Sequence, residues 1–350
     1  MKKKIMILST GGTIACSESE RGLIPTAAAE AFLAYLPERM AGDFDISLLD
    51  LFQLDSSSIG PSHWLTLAQT IRSRYDDFDG FLITHGTDTM AYTASTLSYL
   101  LAGGNKPVVL TGSQLPADVP GSDGPSNLKT AFQAFYTGLT GVMIAFCGQL
   151  IRGCRASKLR THSFNAFESI NVPPLMDFSG NGDNGYQPPA DTVASCCSSG
   201  SFAHGESACA AQLFGTQPLS LEPRVGLLKL HPGMMPAMLS AVGQTGLRGL
   251  VLELFGIGNF PTENTALMDA LRGLSDRGII IVTKSQCPFE PSNSDVYASG
   301  RQLAQLHVIS ARDMTTEASV TKLMWALGKT SQPEQVRQLF LTNIAGEITL

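Results

Sequence analysis

Apolar and polar positions follow two rhythms along this 350-residue chain. Short apolar runs of strand length recur at residues 4–8, 45–51, 80–84, 107–111 and 142–146. Between them lie stretches with helical spacing, at 27–36, 61–74, 89–101 and 125–137. Strands alternating with helices of this length predict a parallel, doubly wound sheet. Polar turns follow the strand ends, where open α/β sheets bind small molecules.

The rhythm stops between residues 180 and 223, where Gly, Pro, Ser, Asn and Asp dominate. That composition reads as a loop or interdomain linker, and the Cys196–Cys197 pair sits inside it. A shorter α/β pattern then begins. Its predicted strands are 225–230, 250–254 and 278–283, and its predicted helices 237–244, 262–276, 316–327 and 333–341. The expected organisation is therefore a larger N-terminal domain over 1–190 and a linker over 191–222. A smaller C-terminal α/β domain follows over 223–350.

Composition narrows the function classes. Hydrophobic residues make up 43%, enough for a sizeable core. Charged residues are only 15%, against roughly 25% in soluble domains, which fits a buried sheet and a large subunit interface. The net charge of −6 comes without a basic stripe, so nucleic acid is not an expected partner. No apolar run approaches the ~18 residues of a membrane span. The basic start, Met1 to Lys4, precedes only four apolar residues, too few for a secretory h-region of about 7–15. Cleavage before Cys16 would also remove Thr13, so a cytoplasmic location is expected. The seven cysteines (Cys16, Cys147, Cys154, Cys196, Cys197, Cys209 and Cys287) form no CxxC pair or Cys/His cluster of zinc spacing. They read as free thiols in a reducing compartment, with no metal site.

Four short motifs carry chemical potential. Thr-Gly-Gly-Thr-Ile-Ala at 10–15 follows the first strand; its adjacent glycines permit a sharp bend and close approach to a ligand. Thr13 there is a nucleophile or a turn residue. His-Gly-Thr-Asp-Thr at 85–89 follows the strand at 80–84 and opens a helix, whose free amides suit an oxyanion or a carboxylate. His85 in that turn reads as structural. Thr-Gly-Ser-Gln at 111–114 ends the next strand, with Asp-Gly at 123–124 behind it, and Arg-Ala-Ser-Lys occupies 155–158. An internal threonine cannot use its own α-amino group as base, so a side chain must take the proton. Lys158 is the candidate partner. Lysine does this only where its surroundings favour the neutral form. Asp88 works against that, so its expected tasks are orienting Lys158 and holding a substrate ammonium.

These four motifs, in this order and spacing, resemble the bacterial L-asparaginases, specifically the cytoplasmic type I branch. The similarity runs nearly end to end. It includes Asp-Ser-Ser-Ser-Ile-Gly-Pro-Ser-His-Trp at 55–64, Phe-Gly-Ile-Gly-Asn-Phe-Pro at 255–261 and Asp-Met-Thr-Thr-Glu-Ala at 313–318. The resemblance implies hydrolysis of L-asparagine to aspartate and ammonia without cofactor or metal. It implies two α/β domains and a homodimer or dimer of dimers. By resemblance, Thr13 is the nucleophile that forms an acyl-enzyme, and Thr87, grouped with Asp88 and Lys158, activates water or the nucleophile. Asp88 also binds the substrate α-amino group. Asp55, Ser56 and Ser57 hold the α-amino and α-carboxylate groups. The backbones of Gly86–Thr87 and Gly112–Ser113 contact the side-chain amide and the oxyanion, and Asn259 reaches in from the neighbouring subunit.

One position departs from the family. Leu23 stands where the resemblance implies a lid tyrosine that activates the nucleophile, and leucine cannot exchange a proton. General acid–base assistance is typically worth ~10²–10⁴-fold, so an effect on rate is expected. That substitution supports a weakly active or non-catalytic asparagine-binding protein as the alternative. A glutamine-hydrolysing amidotransferase subunit is a lesser one. The resemblance gives that subunit an extra N-terminal domain, for which the first predicted strand, at residue 4, leaves no room. One extra methylene changes discrimination by only ~1–3 kcal/mol, which leaves L-glutamine as a side substrate. Cys287, in Ser-Gln-Cys-Pro, matches a region where some type I relatives bind their substrate a second time.

Overall fold

The computed structural model describes residues 2–12, 16–19, 22–25, 35–36, 38–179, 214–215, 218–292, 302–303 and 305–349. The expected helix at 27–36 falls almost wholly outside the described residues, as does most of the expected linker. The chain forms two compact units, one of 1–219 with Ile344–Gly346 and one of Ser220–Asn343 with Glu347–Leu350.

The first unit is built on a seven-stranded sheet. Its chain order is β1 (Lys3–Gly11), a hairpin of β2 (Cys16–Ser19) and β3 (Gly22–Pro25), α1 (Glu38–Asp43), β4 (Phe44–Leu54), α2 (Pro61–Ser73) and β5 (Gly80–Thr84). There follow α3 (Met90–Leu100), β6 (Pro107–Thr111), α4 (Gly124–Ala134), β7 (Gly141–Phe146) and β8 (Gln149–Arg152). Short strands β9 (Ala156–Lys158), β10 (Phe167–Ser169) and β11 (Met176–Asp177) complete it. The spatial order is β11-β8-β7-β6-β5-β1-β4. Strands β4 to β7 and β1 run parallel, and β8 turns back antiparallel on β7. From β1 the chain steps outward to β4, then returns to β5 on the other side. The strand order thus reverses between β1 and β5, the switch point where such sheets open a ligand crevice.

Burial explains the elements. Every residue of β5 is buried, as a central strand requires, whereas β4 at the edge is partly exposed along its length. α2 starts with Pro61 in its first turn, and His63 Nδ1 accepts from the Gly60 N–H at 3.1 Å. It turns Trp64, Leu67, Ala68 and Ile71 inward, at helical spacing. Ile5, Ile7, Leu82, Val109 and Met143 form one core face with Leu128 and Phe132 of α4. Full burial of such side chains is worth ~1.5–3 kcal/mol each. On the opposite face, Val142 meets the turn that packs on Ala94 and Ser98 of α3. So α3 and α4 cover opposite faces although β5, β6 and β7 step in one direction. One of these two crossovers is therefore left-handed, against the rule that holds in about 98% of cases.

The second unit carries β12 (Val225–Lys229), α5 (Pro236–Val242), β13 (Gly249–Leu254), α6 (Thr265–Asp276), β14 (Ile280–Ser285), β15 (Ile309–Ser310), α7 (Thr316–Lys329) and α8 (Pro333–Leu341). Its four strands are parallel, in simple order β12-β13-β14-β15. Asn264 caps α6 through Leu267 N, and Thr315 caps α7 through Ala318 N. Strand β15, of two residues, is too short to leave a periodic signal, and the sequence reading lacks it. Among the described residues no helix is long and apolar enough to cross a membrane.

Candidate active site

Four strand-end turns lie against one another at the switch point, and glycines let them. Strand β1 runs three residues further than the sequence pattern predicts, with a register shift between Ser9 and Gly11. Thr10 is therefore a strand residue, and its hydroxyl donates to Thr84 O of β5 at 2.8 Å. The bend falls at Gly11 and Gly12, with φ of 95° and 86°. A side chain on Gly12 would come within 2.3 Å of Gly86 N, and one on Gly86 within 2.7 Å of Ser56 Oγ. One on Gly112 would come within 2.2 Å of His85 O. The turns after β4, β1, β5 and β6 thus touch through glycine contacts, which brings their functional groups to one edge.

Thr87 stands at the centre. It is buried, and its hydroxyl donates to Gln114 Oε1 at 3.1 Å. Lys158 Nζ donates to Thr87 Oγ1 at 2.8 Å and to Asp88 Oδ1 at 2.6 Å. Lysine is mostly covered and aspartate mostly open, with side chains 16% and 66% exposed. The hydroxyl oxygen of Thr87 is thus held between a donor and an acceptor, and its hydrogen points to Gln114. Gln114 in turn donates from Nε2 to Thr161 O and Ser163 O, at 3.1 and 3.3 Å.

The surrounding turns are held by buried polar groups. Asp123 accepts from Gln114 N at 3.0 Å and Leu115 N at 3.2 Å. Asn127 Nδ2 donates to Asp123 Oδ2 and to Gly112 O, both at 3.0 Å, and its Oδ1 accepts from Cys147 N at 2.8 Å. Ser113 is buried and its hydroxyl donates to Leu115 O. Beneath Thr87, His85 is fully buried, which pushes its pKa down to about 4. Its Nδ1 lies 2.7 Å from Gly86 O, which can only accept, so Nδ1 carries the proton. Its Nε2 then accepts from Thr93 Oγ1 at 2.8 Å, and Thr93 accepts from Trp64 Nε1 at 2.9 Å. Burial keeps the imidazole neutral, and in that state the chain runs one way, from Trp64 through Thr93 to His85.

At the end of β4, Asp55 caps a single 3₁₀ turn, Ser56–Ser58, accepting from Ser57 N at 2.7 Å. Hydrogen bonds from Ser57, side chain first and backbone second, lower the Asp55 pKa, so this exposed carboxylate is charged at neutral pH. Ser56 is buried, and its carbonyl accepts from Thr89 Oγ1 at 2.6 Å, tying the β4 turn to the start of α3.

Comparison with known proteins meets this geometry at both halves of the chain. The model of the asparaginase N-terminal domain matches residues 4–190, and that of the glutaminase/asparaginase C-terminal domain matches 224–340. The chain belongs to the asparaginase family. It is 37% identical over 352 residues to L-asparaginase 1 of Escherichia coli (strain K12), covering 99% of this chain and 98% of that one. A solved structure of the thermostable L-asparaginase from Thermococcus kodakarensis superposes with a TM-score of 0.84 at 35% identity, covering 99% of both chains. A glutamyl-tRNA(Gln) amidotransferase component of Pyrococcus horikoshii is 32% identical over 363 residues, covering 99% of this chain and 76% of that protein.

Within this asparaginase-family fold the structure brings Thr87, Asp88 and Lys158 into direct contact. It places Asp55, Ser56, Ser57, Gly86, Gly112 and Ser113 on the adjoining turns. Thr13 lies outside the described residues; its neighbour Gly12 packs on Gly86. Asn259 belongs to the second unit, where its backbone pairs with Phe255. Leu23 lies in β3, opposite Glu18 of β2. Gln114 lies inside the Thr-Gly-Ser-Gln motif but carries no sequence signal of its contact with Thr87, and no motif marks Asn127. Asp123 carried a visible signal as the Asp-Gly step before α4, but as a turn and not as the clamp on Gln114. Among the described residues no group of three or more His, Cys, Asp or Glu is arranged to hold a metal ion.

Proposed function

We propose that the chain hydrolyses the side-chain amide of L-asparagine to L-aspartate and ammonia, without metal or cofactor. The observation that carries this reading is Lys158 donating to both Thr87 and Asp88 at the switch-point crevice of an asparaginase-family chain. Thr13 is the nucleophile: its oxygen attacks the amide carbon, ammonia leaves and an acyl-enzyme remains. Water then attacks the ester, and aspartate departs. Thr87 and Lys158 pass the proton in each step. An ammonium has no lone pair, so for Lys158 to accept a proton it must first give one up, and the hydroxyl hydrogen of Thr87 must turn from Gln114 toward the amine, which makes Gln114 a restraint on the proton path. The backbones of Gly86–Thr87 and Gly112–Ser113 receive the amide and the developing oxyanion.

Asp55, Ser56, Ser57 and Asp88 hold the free α-amino and α-carboxylate groups. The charged state of Asp55 suits an ammonium. Recognition of both groups favours an amino-acid amide over a peptide. L-glutamine is a side substrate. Asn259 completes the site from a neighbouring subunit in a homodimer or dimer of dimers. Cys147 and Cys287, exposed thiols outside any disulfide among the described residues, support a cytoplasmic setting.

Leu23 favours a second reading, an asparagine-binding homologue with little turnover. Ammonia release from L-asparagine and L-glutamine separates the two. Measured turnover supports the amidohydrolase; tight asparagine binding without ammonia supports the binder. Light scattering tests the oligomer: a monomer with full activity would remove the role given to Asn259.

A further inference from the structure

Lys158 does not sit on the main sheet. Among the described residues its strand β9 pairs with β10 alone, in a two-stranded ribbon with Lys158 opposite Phe167. The position of the amine therefore depends on how the ribbon is anchored at its base. That base is a single 3₁₀ turn, Gly153–Arg155, whose three residues are buried. Gly153 is pressed on α3: a side chain there would come within 2.9 Å of Ser98 Oγ and 3.1 Å of Ala94 O. Ser95 Oγ donates to Gly153 O at 3.3 Å. From the turn, the three residues of β9 carry the chain to Lys158, whose amine reaches Thr87 and Asp88 just ahead of α3.

The outer side of that turn is closed by a segment from the far end of the sequence. Ile344–Gly346 belongs to the first unit. Its carbonyls accept from three side chains of the turn and the residue before it. Arg155 Nε donates to Gly346 O at 2.8 Å, Arg152 Nη1 to Ala345 O at 2.9 Å and Cys154 Sγ to Ala345 O at 3.3 Å. Arg155 is 1% exposed, among the largest fully buried side chains of the chain. A buried guanidinium demands acceptors, because it cannot shed its charge. Gly346 has φ of 85°, and a side chain there would come within 2.7 Å of Arg152 Nη1. The left-handed φ favours glycine there, and an added carbon would have to push the end of the Arg152 side chain aside.

We propose that Arg155 is a positioning residue for Lys158, and that Ile344–Gly346 is the strap that holds it. The strap fixes the guanidinium, the guanidinium fixes the base of the ribbon, and the ribbon aims the amine at Thr87 and Asp88. The inference rests on the proposed function only in giving Lys158 its proton-transfer role.

The test uses the full chain, with Arg155→Lys and Gly346→Ala, the second leaving Arg155 itself in place. Leu128→Ala in the α4 core serves as a variant with lowered stability and an untouched ribbon. Two properties are read. The first is the rate at which acetic anhydride labels Lys158, followed by mass spectrometry and normalised to exposed Lys2. The second is turnover of L-asparagine across pH. Released from its partners, Lys158 is expected to label several-fold faster in both strap variants and at the wild-type rate in Leu128→Ala. Turnover falls ~10–100-fold in kcat with KM little changed, and the pH profile shifts. Lys158 labelling at the wild-type rate in both strap variants would overturn the proposal. If the wild-type chain releases no ammonia at all, the proposed function fails, while the labelling still decides whether the strap positions Lys158.

Discussion

Thr93 donates its hydroxyl hydrogen to His85 Nε2 at 2.8 Å, directly beneath the turn that carries Thr87. Burial keeps the imidazole neutral, with its pKa at about 4 instead of 6.5, and so leaves Nε2 able to accept this bond. Between those values the unfolded chain binds a proton that the folded chain refuses. His85 therefore contributes its full share of stability above pH 6.5 and loses it as pH falls toward 4. Over that span the loss amounts to roughly 3 kcal/mol, at about 1.36 kcal/mol per pH unit. Urea unfolding at pH 7.5 and pH 4.5 measures it. In His85→Gln the difference between the two pH values should shrink by about that amount; an unchanged difference would contradict the one-way chain.

Gln114 sets the direction of the Thr87 hydroxyl. Replacing it with leucine removes the acceptor at 3.1 Å and the two bonds to Thr161 O and Ser163 O. Turnover is expected to drop about 10-fold or more, within the usual range for groups that assist proton transfer. Gln114→Glu keeps an acceptor and loses the two donors, so it should retain more activity than Gln114→Leu. Steady-state kinetics of both variants checks the order; equal activity would remove Gln114 from the proton path.

Gly112 and Gly273 offer opposite outcomes from the same substitution. Gly112→Ala forces a methyl to within 2.2 Å of His85 O, so the β5 and β6 turns must part. Destabilisation of ~1–3 kcal/mol is expected, together with loss of turnover. Gly273 lies inside α6 with nothing within 4 Å of the added carbon. Gly273→Ala should stabilise by roughly 0.5–1 kcal/mol and leave turnover unchanged. Thermal melts and ammonia assays on the pair decide it.

Much of this was legible in the sequence where an element was long enough to show a period. Strands β5, β6 and β7 and helices α2 and α3 announce themselves by continuous apolar runs and by helical spacing. The Thr-Gly and Gly-Thr turns mark their ends. Ribbon β9–β10 did not show, because three-residue strands carry no pattern, so the anchor of Lys158 was invisible although Lys158 itself was picked out. The bond from Arg155 to Gly346 spans 191 residues and leaves no local trace. Thr10 and Gly11 read as turn but extend β1, since the strand continues wherever β4 offers partners, up to Leu54. Gln114 was hidden by its motif: a residue after a Gly-Ser turn reads as loop until its contacts with Thr87 are seen.

In the proposed function, Thr87, Asp88 and Lys158 move the protons while Thr13 attacks L-asparagine. The most direct measurement is ammonia release from L-asparagine by the purified chain, beside Thr87→Ala, with thermal melts showing both folded. Turnover is expected in the wild-type chain, with a loss of about 10²-fold or more in Thr87→Ala. Equal ammonia release from both proteins would contradict it.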